Sequence, residues 1–226
     1  MRRGDNQASD VRGRQRQHWQ TTYAAHPAMY GTAPSDPAQY AIGLFGRGGV
    51  VDLLELGAGQ GRDTVWFLHA GLTVTALDYA EGALRELRHV AEANRVGAKL
   101  TTIVHDVRQP LPLSDRSVDG VYSHMLFNMA LSTAELVDLA GEVHRVLRPG
   151  GLLVYTVRHT RDAHYRAGIS HGDNMFENGG FIVHFFDRSL VDRLAAGFTM
   201  LDFAEFEEGE LPRRLWRVTL RRDQGR

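Results

Sequence analysis

The sequence contains no cysteine, and this absence removes several kinds of site at once. Disulfides, thiolate nucleophiles and zinc sites built from cysteine are all excluded. The 226 residues also carry almost no net charge, with a formal value of −1 at pH 7. Such a chain gives no whole-molecule attraction to nucleic acid or to anionic lipid, so neither is expected as a partner.

Long apolar runs are missing as well. No stretch is long enough to span a bilayer, and the start, from Met1 to Asp5, lacks the apolar stretch of a signal peptide. We therefore expect a cytoplasmic location and no membrane partner. The hydrophobic fraction of 43% over this length fits one ordinary globular domain with a sizeable core.

The polarity of the chain divides it into segments. Residues 1–17 are polar and predict a disordered tail. Residues 18–226 are expected to form a single domain, in which residues 18–49, rich in aromatic residues and broken by proline and glycine, form a leading helical cap. The long polar stretch 158–187 contains several histidines and predicts a lid or substrate loop.

The central part of the chain alternates between two hydrophobic patterns. Short apolar or alternating runs predict strands, while longer segments with a period near 3.6 predict the helices between them. The pattern indicates an α/β fold with a doubly wound, mostly parallel sheet. Seven strands are predicted, and the last two form a C-terminal antiparallel hairpin. The predicted strands cover residues 51–56, 72–77, 100–104, 118–123, 152–157, 198–206 and 213–222, and the predicted helices cover 64–70, 81–95, a segment behind the capping box Ser132–Glu135, and 189–196.

A glycine-rich turn, "LLELGAGQGRDT", follows the first predicted strand. A strand that runs through Gly57, Gly59 and Gly61 into a helix exposes backbone N–H groups and lets a ligand approach closely, although such glycines also serve plain packing. The spacing G-x-G-x-G is one residue shorter than the G-x-G-x-x-G of dinucleotide folds, which disfavours a nicotinamide-dependent reductase. Glu55 is a poor neighbour for a pyrophosphate and a good one for an ammonium group, so we predict a cationic ligand.

Acidic residues follow the next two strands at the same expected edge of the sheet. Asp78 is placed to accept both hydroxyls of a ribose, or to cap the next helix, and the two roles are compatible. Tyr79 is placed to lie on an adenine face. Asp106 and the Val107 N–H are placed to recognise the edge of an adenine. Together these residues indicate a nucleoside site.

These motifs resemble those of the class I S-adenosylmethionine-dependent methyltransferases. The resemblance rests on E-x-G-x-G-x-G (55–61), Asp78, Asp106-Val107, "DGVYSHMLFNM" and "LRPGGLLVYTV", and it covers about Val50 to Val157. "GQGRDTVWFLHAG" and "FEEGELPRRLWRVTLRR" resemble the small-molecule branch near the tellurite-resistance and thiopurine methyltransferases. The resemblance implies a Rossmann-like methyltransferase fold, S-adenosylmethionine as cofactor and S-adenosylhomocysteine as product.

The resemblance also implies a role for each residue of the site. Glu55 would lie near the amino group of the cofactor, the glycine turn would line its methionine and ribose, and Ser123 would face its methionine part. The cofactor-binding set is Glu55, Gly57, Ala58, Gly59, Gly61, Asp78, Tyr79, Asp106, Val107 and Ser123.

The acceptor is expected to be a small molecule, bound by a monomer or homodimer. Methyl transfer obliges no catalytic base, but His124, at the end of the fourth strand, is the preferred one; the alternative is a hydrogen-bonded structural histidine. Tyr30, His124, His164 and His184 form the predicted substrate-binding set, although Tyr30, like Tyr23, also fits simple packing. The histidines of 159–184 lack ligand spacing, so no metal site is predicted. A non-catalytic protein that binds S-adenosylmethionine is the competing reading.

Overall fold

The computed structural model describes residues 3–27, 29–209 and 213–224, and for residues 3–12 it gives only the course of the backbone. Seven strands form one sheet in the order β3-β2-β1-β4-β5-β10-β9, and three form a second sheet in the order β6-β7-β8. The strands are β1 (Asp52–Leu56), β2 (Thr73–Asp78), β3 (Leu100–Val104), β4 (Val118–His124), β5 (Leu147–Arg158), β6 (Ile169–Gly172), β7 (Met175–Asn178), β8 (Phe181–His184), β9 (Phe198–Glu208) and β10 (Arg213–Arg222). The helices are α1 (Arg3–Ala25), α2 (Asp36–Gly48), α3 (Arg62–His69), α4 (Glu81–Ala93), α5 (Thr133–Val146) and α6 (Arg188–Leu194).

The large sheet confirms the predicted α/β fold. Strands β1 to β5 pair in parallel, whereas β10 runs antiparallel to both β5 and β9. The chain moves outward from β1 to β2 and β3, then returns to place β4 on the other side of β1. At such a reversal the loops beyond the carboxyl ends of neighbouring strands diverge and leave a crevice, which is where open α/β sheets bind ligands.

Helices cover both faces of the large sheet. One core cluster packs α2, α3 and α4 on the sheet through residues such as Phe45, Phe67 and Leu84. The other packs α5 and α6 through residues such as Leu139 and Val191. The predicted capping box at the start of α5 is present, with the side chains of Ser132 and Glu135 bonded reciprocally to backbone N–H groups.

The prediction of a disordered tail over residues 1–17 is wrong for residues 3–17, which belong to α1. The side chain of Gln15 explains why the helix is ordered where it meets the domain. Its Nε2 donates to the Gly180 carbonyl oxygen at 2.7 Å, and its Oε1 accepts from the Ile182 N–H at 3.1 Å. One turn further on, Trp19 packs edge to face on Phe181. Met1 and Arg2, which the same prediction included, lie outside the described residues.

The segment predicted as a lid or loop, 158–187, contains a three-stranded antiparallel sheet that we name the flap sheet (β6–β8, 169–184). Its strands are joined by two tight turns. Asp173-Asn174 and Gly179-Gly180 all have positive φ angles, as two-residue hairpin turns of type I′ require. No described helix of the protein is both long and apolar enough to cross a membrane.

The Gln15 contacts generate a stability prediction. Replacing Gln15 with Ala leaves the buried N–H of Ile182 and the partly buried carbonyl of Gly180 without partners, and a buried group left unpaired costs about 1–3 kcal/mol. We expect Gln15→Ala to lower the free energy of unfolding by about 1–2 kcal/mol, with faster amide exchange at Ile182 in hydrogen-exchange measurements. Gln17→Ala, the same change at an exposed position of the same helix, is the control. Equal effects of the two changes would refute the role assigned to Gln15.

Candidate functional site

A cavity of about 380 Å³ lies at the carboxyl ends of β1, β2 and β4, at the reversal of strand order. This volume is within the range of small-molecule sites, about 300–1,000 Å³. The walls come from the β1–α3 turn, the tips of β2 and β4, the end of β9, helix α1 and the segment 30–34. The lining residues used below are Trp19, Tyr23, Tyr30, Glu55, Gly57, Ala58, Gly59, Gly61, Arg62, Asp63, Asp78, Tyr79, His124, Leu126, Met129 and Glu208.

The glycine turn serves two purposes. Gly57, Gly59 and Gly61 all have positive φ angles, which favour glycine. A Cβ on Gly59 would lie 2.8 Å from the Tyr23 hydroxyl, so this glycine keeps the cavity floor open beneath α1. A Cβ on Gly61 would lie 2.1 Å from Leu87 Cδ1, so this glycine allows α3 to begin against α4. Gly59 and Gly61 are thus both needed for packing within the protein, and close approach of a ligand to Gly59 stays a prediction.

Asp78 joins the glycine turn to the start of α4. Its Oδ2 accepts the Gly59 N–H at 2.9 Å, and its Oδ1 accepts the Ala80 N–H at 2.8 Å. Burial raises the pKa of Asp78, although these backbone hydrogen bonds act in the opposite direction. Each carboxylate oxygen has capacity for one more hydrogen bond. Asp78 thus holds the turn while it presents acceptor atoms to the cavity.

Glu55 is a buried carboxyl group in the cavity wall, only 3% exposed. Its Oε2 accepts a 2.6 Å hydrogen bond from the Thr64 hydroxyl. Burial, together with the nearby charge of Asp63, raises the pKa of Glu55 to about 8. The group is therefore largely protonated at neutral pH, and a cation placed beside it would favour the ionised form.

Asp63 is a second buried acid of this wall, and no role was predicted for it. Its carboxylate accepts hydrogen bonds from the Ser35 N–H at 2.8 Å, the Ser35 hydroxyl at 2.7 Å and the Tyr122 hydroxyl at 3.0 Å. Ser35 is also the N-cap of α2. Asp63 thus fixes the segment before α2 against α3 and the sheet, and so sets one side of the cavity.

The predicted adenine-binding residues meet at a smaller neighbouring cavity of about 20 Å³. Asp106 and Val107 line it together with Tyr79, and it shares Trp19, Leu126 and Met129 with the larger cavity. The Asp106 carboxylate pairs with Arg108 at 3.0 Å. Ser123 is fully buried and lines neither cavity, and its hydroxyl has no hydrogen-bond partner within the described part of the chain.

The structure separates the predicted substrate residues. Tyr30 and His124 lie on the cavity wall, whereas His164 and His184 do not. His184 is 1% exposed, its Nδ1 lies 2.7 Å from the Leu131 carbonyl oxygen, and burial lowers its pKa, so these contacts are those of a buried, hydrogen-bonded histidine. No described residue of 158–187 lines the cavity, so the predicted cover from that segment is replaced by α1 and residues 30–34.

Glu208 is a cavity residue that the sequence did not reveal. It lies at the end of β9, 84 residues from His124, yet its Oε2 is 3.2 Å from His124 Nε2. Its Oε1 is 3.7 Å from Arg62 at the start of α3. The remaining ring nitrogen of His124, Nδ1, lies 2.8 Å from Thr156 Oγ1. Among the residues that the structure describes, no group of three or more His, Asp or Glu side chains is arranged to hold a metal ion.

Comparison with known proteins agrees with this geometry. Residues 53–151 match the family model described as a methyltransferase domain. Over 107 residues the chain is 42% identical to the malonyl-[acyl-carrier protein] O-methyltransferase of Methylococcus capsulatus, covering 46% of this chain and 36% of that protein. Over 120 residues it is 35% identical to a human thiol S-methyltransferase, covering 50% and 45% of the two chains. The chain thus spans less than half the length of these curated relatives.

A solved structure extends the likeness over nearly the whole fold. The 1,6-didemethyltoxoflavin-N1-methyltransferase of Burkholderia thailandensis, solved with 1,6-didemethyltoxoflavin and S-adenosylhomocysteine, superposes with a TM-score of 0.74 at 20% identity, covering 95% of this chain and 90% of that one. At this identity the likeness concerns the fold. Residues 53–151 are thus similar to a methyltransferase domain, and the fold as a whole is similar to that of a solved methyltransferase with bound S-adenosylhomocysteine.

Proposed function

We propose that the protein transfers a methyl group from S-adenosylmethionine to a small-molecule acceptor. The observation that carries the proposal is that Glu55 and Asp78 line the same cavity of about 380 Å³ at the reversal of strand order. Asp78 also accepts the N–H of Gly59 in the glycine turn. The matched domain and the named relatives support the same reaction class.

The residues of the cavity fit the chemical groups of this cofactor. The Asp78 oxygens have the capacity to accept the two ribose hydroxyls. Glu55 is a buried carboxyl group that a cationic amino group would convert to its ionised form. Tyr79 and Leu126 offer apolar surface beside the polar edge formed by Asp106 and Val107, which suits an adenine.

The protein's contribution to the reaction is to position the acceptor and to exclude water. S-adenosylmethionine supplies a methyl group on a positively charged sulfur, which is reactive without a protein nucleophile. Holding two reactants in line lowers a barrier by about 7–11 kcal/mol. Three aromatic side chains line the cavity and restrict the entry of water: Trp19 and Tyr23 of α1, and Tyr30 of the segment that follows.

The acceptor side of the cavity supports a small molecule. His124, Arg62 and Glu208 form a polar group there, next to the ring of Tyr30, over which the Arg62 guanidinium lies at 5.6 Å. This arrangement suits a compact acceptor with an apolar body and a polar reacting group.

We predict that Asp78→Asn weakens binding of S-adenosylmethionine and S-adenosylhomocysteine by about 10–100-fold, because a hydrogen bond to a charged group contributes about 1.5–3 kcal/mol. Isothermal titration calorimetry measures the effect. Asp52→Asn is the matched control, since Asp52 begins β1 at the opposite edge of the sheet. Binding of NADH but not of S-adenosylmethionine by the wild type would refute the proposal.

Turnover separates an enzyme from a binding protein. We expect S-adenosylhomocysteine to form when S-adenosylmethionine is incubated with at least one member of a panel of phenols, alcohols, amines, thiols and carboxylic acids. Mass spectrometry detects both products. Tight binding of S-adenosylmethionine with no turnover on any panel member would favour a non-catalytic binding protein.

The pKa of Glu55 generates a further prediction for the protein without ligand. A carboxyl group whose pKa is raised in the folded state stabilises the fold below its unfolded pKa, and this stability is lost as pH rises through the folded pKa, here about 8. Glu55→Gln removes the titrating group, so the pH dependence between about 4.5 and 8 should flatten by up to about 1.4 kcal/mol per pH unit.

Urea denaturation of both proteins at pH 5, 6, 7 and 8 tests this. We expect the free energy of unfolding of Glu55→Gln to rise relative to that of wild type at each step from pH 5 to pH 8. Glu81→Gln, at an exposed position of α4, is the control and should track the wild type. Parallel curves for wild type and Glu55→Gln would show that Glu55 titrates normally.

A further inference from the structure

His124 reaches the cavity wall with both ring nitrogens engaged. Nδ1 lies 2.8 Å from Thr156 Oγ1, and Nε2 lies 3.2 Å from Glu208 Oε2. The side chain is 13% exposed, so solvent has little access to either nitrogen. A histidine acts as a general base only through an unprotonated nitrogen that faces its substrate, and neither nitrogen meets this condition here.

The hydrogen bonds around Thr156 assign the tautomer of His124. Thr156 is fully buried, and its Oγ1 already accepts the Met125 N–H at 3.0 Å. Among the residues that the structure describes, His124 Nδ1 is the acceptor within hydrogen-bonding distance of the Thr156 hydroxyl group. A buried hydroxyl donor left unpaired is destabilising, so the network places a lone pair on Nδ1 and the ring hydrogen on Nε2. The Nε2–H group of His124 therefore donates to Glu208.

Glu208 is then the group of this pair with acceptor capacity left for a substrate. Cationic and polar groups face it from three elements: His124 of β4, Arg62 of α3 and Arg213 of β10. Burial raises the pKa of Glu208, but the hydrogen bond from His124 and the charges of Arg62 and Arg213 outweigh burial, and the pKa lies below its ordinary value. An ionised carboxylate offers about four acceptor positions, more than these contacts use.

We propose that Glu208, and not His124, is the residue that contacts the methyl acceptor, and that the reacting atom of the acceptor carries hydrogen as O–H or N–H. This inference rests on the proposed function. The O–H or N–H group donates a hydrogen bond to a Glu208 oxygen. This hydrogen bond directs the lone pair of the acceptor's oxygen or nitrogen toward the methyl carbon. As that lone pair forms the bond to the methyl carbon, the carbon–sulfur pair stays on sulfur. The Glu208 carboxylate then accepts the released proton from an O–H acceptor. An N–H acceptor is oriented by Glu208 and keeps its hydrogen during transfer, and the cationic methylated product then gives that proton to solvent.

The acceptor role of Glu208 also disfavours other acceptor classes. A thiolate or a carboxylate has no hydrogen to donate to Glu208, and a neutral thiol is only a weak donor, so the Glu208 carboxylate does not orient these acceptors. His124 is in this arrangement a positioning residue, because it holds the Glu208 carboxylate through Nε2–H. Neutral alcohols, phenols and amines are therefore the predicted substrate class.

The test compares substitutions at both residues, with S-adenosylmethionine and the alcohol, phenol or amine of the panel that wild type turns over fastest. Glu208→Gln should lower kcat by at least about 100-fold with an O–H acceptor, the lower end of general-base contributions. Glu208→Asp, which keeps the charge, should recover at least tenfold of that loss. His124→Gln, which keeps an N–H donor at the Nε2 position, should lower kcat by less than about tenfold.

Glu207→Gln is the matched control. Glu207 precedes Glu208 on the same strand, its side chain is 57% exposed, and it pairs with Arg214. Its kcat should stay within about twofold of wild type. For all variants, calorimetry with S-adenosylhomocysteine should give dissociation constants within about threefold of wild type, because Glu208 lies on the acceptor side.

Two wild-type measurements keep the inference testable even where Glu208→Gln fails to bind S-adenosylhomocysteine. The panel should show turnover of O–H or N–H compounds and none of thiols or carboxylic acids. The kcat/KM profile from pH 5.5 to 8.5 should lack a loss of activity on the acid side near pH 6.5, where an unperturbed imidazole base would become protonated.

The opposite results overturn the inference. These are a larger loss in His124→Gln than in Glu208→Gln, a preference for thiols or carboxylic acids, or an acid limb near pH 6.5 that His124→Gln removes. In each case binding and turnover by wild type would leave the proposed function standing. Failure of wild type to bind S-adenosylmethionine would instead refute the proposed function itself.

Discussion

The carboxylate of Asp78 is the constraint on which the rest of the site depends. It accepts one backbone N–H from the glycine turn and one from the start of α4, and so it fixes two loops that follow different strands. The left-handed backbone of the turn favours glycine at these positions. With the turn fixed, Glu55 and the first residues of α3 occupy defined places at the sheet edge. A side chain 19 residues beyond the turn therefore determines its shape.

Much of the sheet could be predicted from the sequence because its information is local. The run 100–104 and the segment 213–222 correspond to β3 and β10 residue for residue, since alternation and turn residues bound them on both sides. The capping box at Ser132 and Glu135 likewise depends on four consecutive residues. Asp78 and Tyr79, which line the cavity, could be predicted for the same reason, because they directly follow the predicted strand 72–77.

The remaining features depend on contacts between distant parts of the chain. Polar composition predicted disorder for 1–17, but a buried hydrogen bond joins the side chain of Gln15 to the Ile182 N–H of β8, 167 residues away. The flap sheet had a local signal, because Asp173-Asn174 and Gly179-Gly180 are dipeptides suited to two-residue hairpins, and the polar composition of the segment obscured it. Glu208 had no local signal. Its approach to His124 requires the order of strands β4, β5, β10 and β9, which no short motif encodes.

Helix α1 belongs to two structures at once. Gln15 ties it to the flap sheet, while Trp19 and Tyr23 of the same helix form part of the cavity wall. Any outward swing of α1 that widens the mouth of the cavity must therefore either break both Gln15 hydrogen bonds, of which the one from Ile182 is buried, or carry β8 along with it. Release of a ligand by such a movement of α1 would therefore depend on the stability of the flap sheet, which supplies no residue to the cavity wall in the described chain.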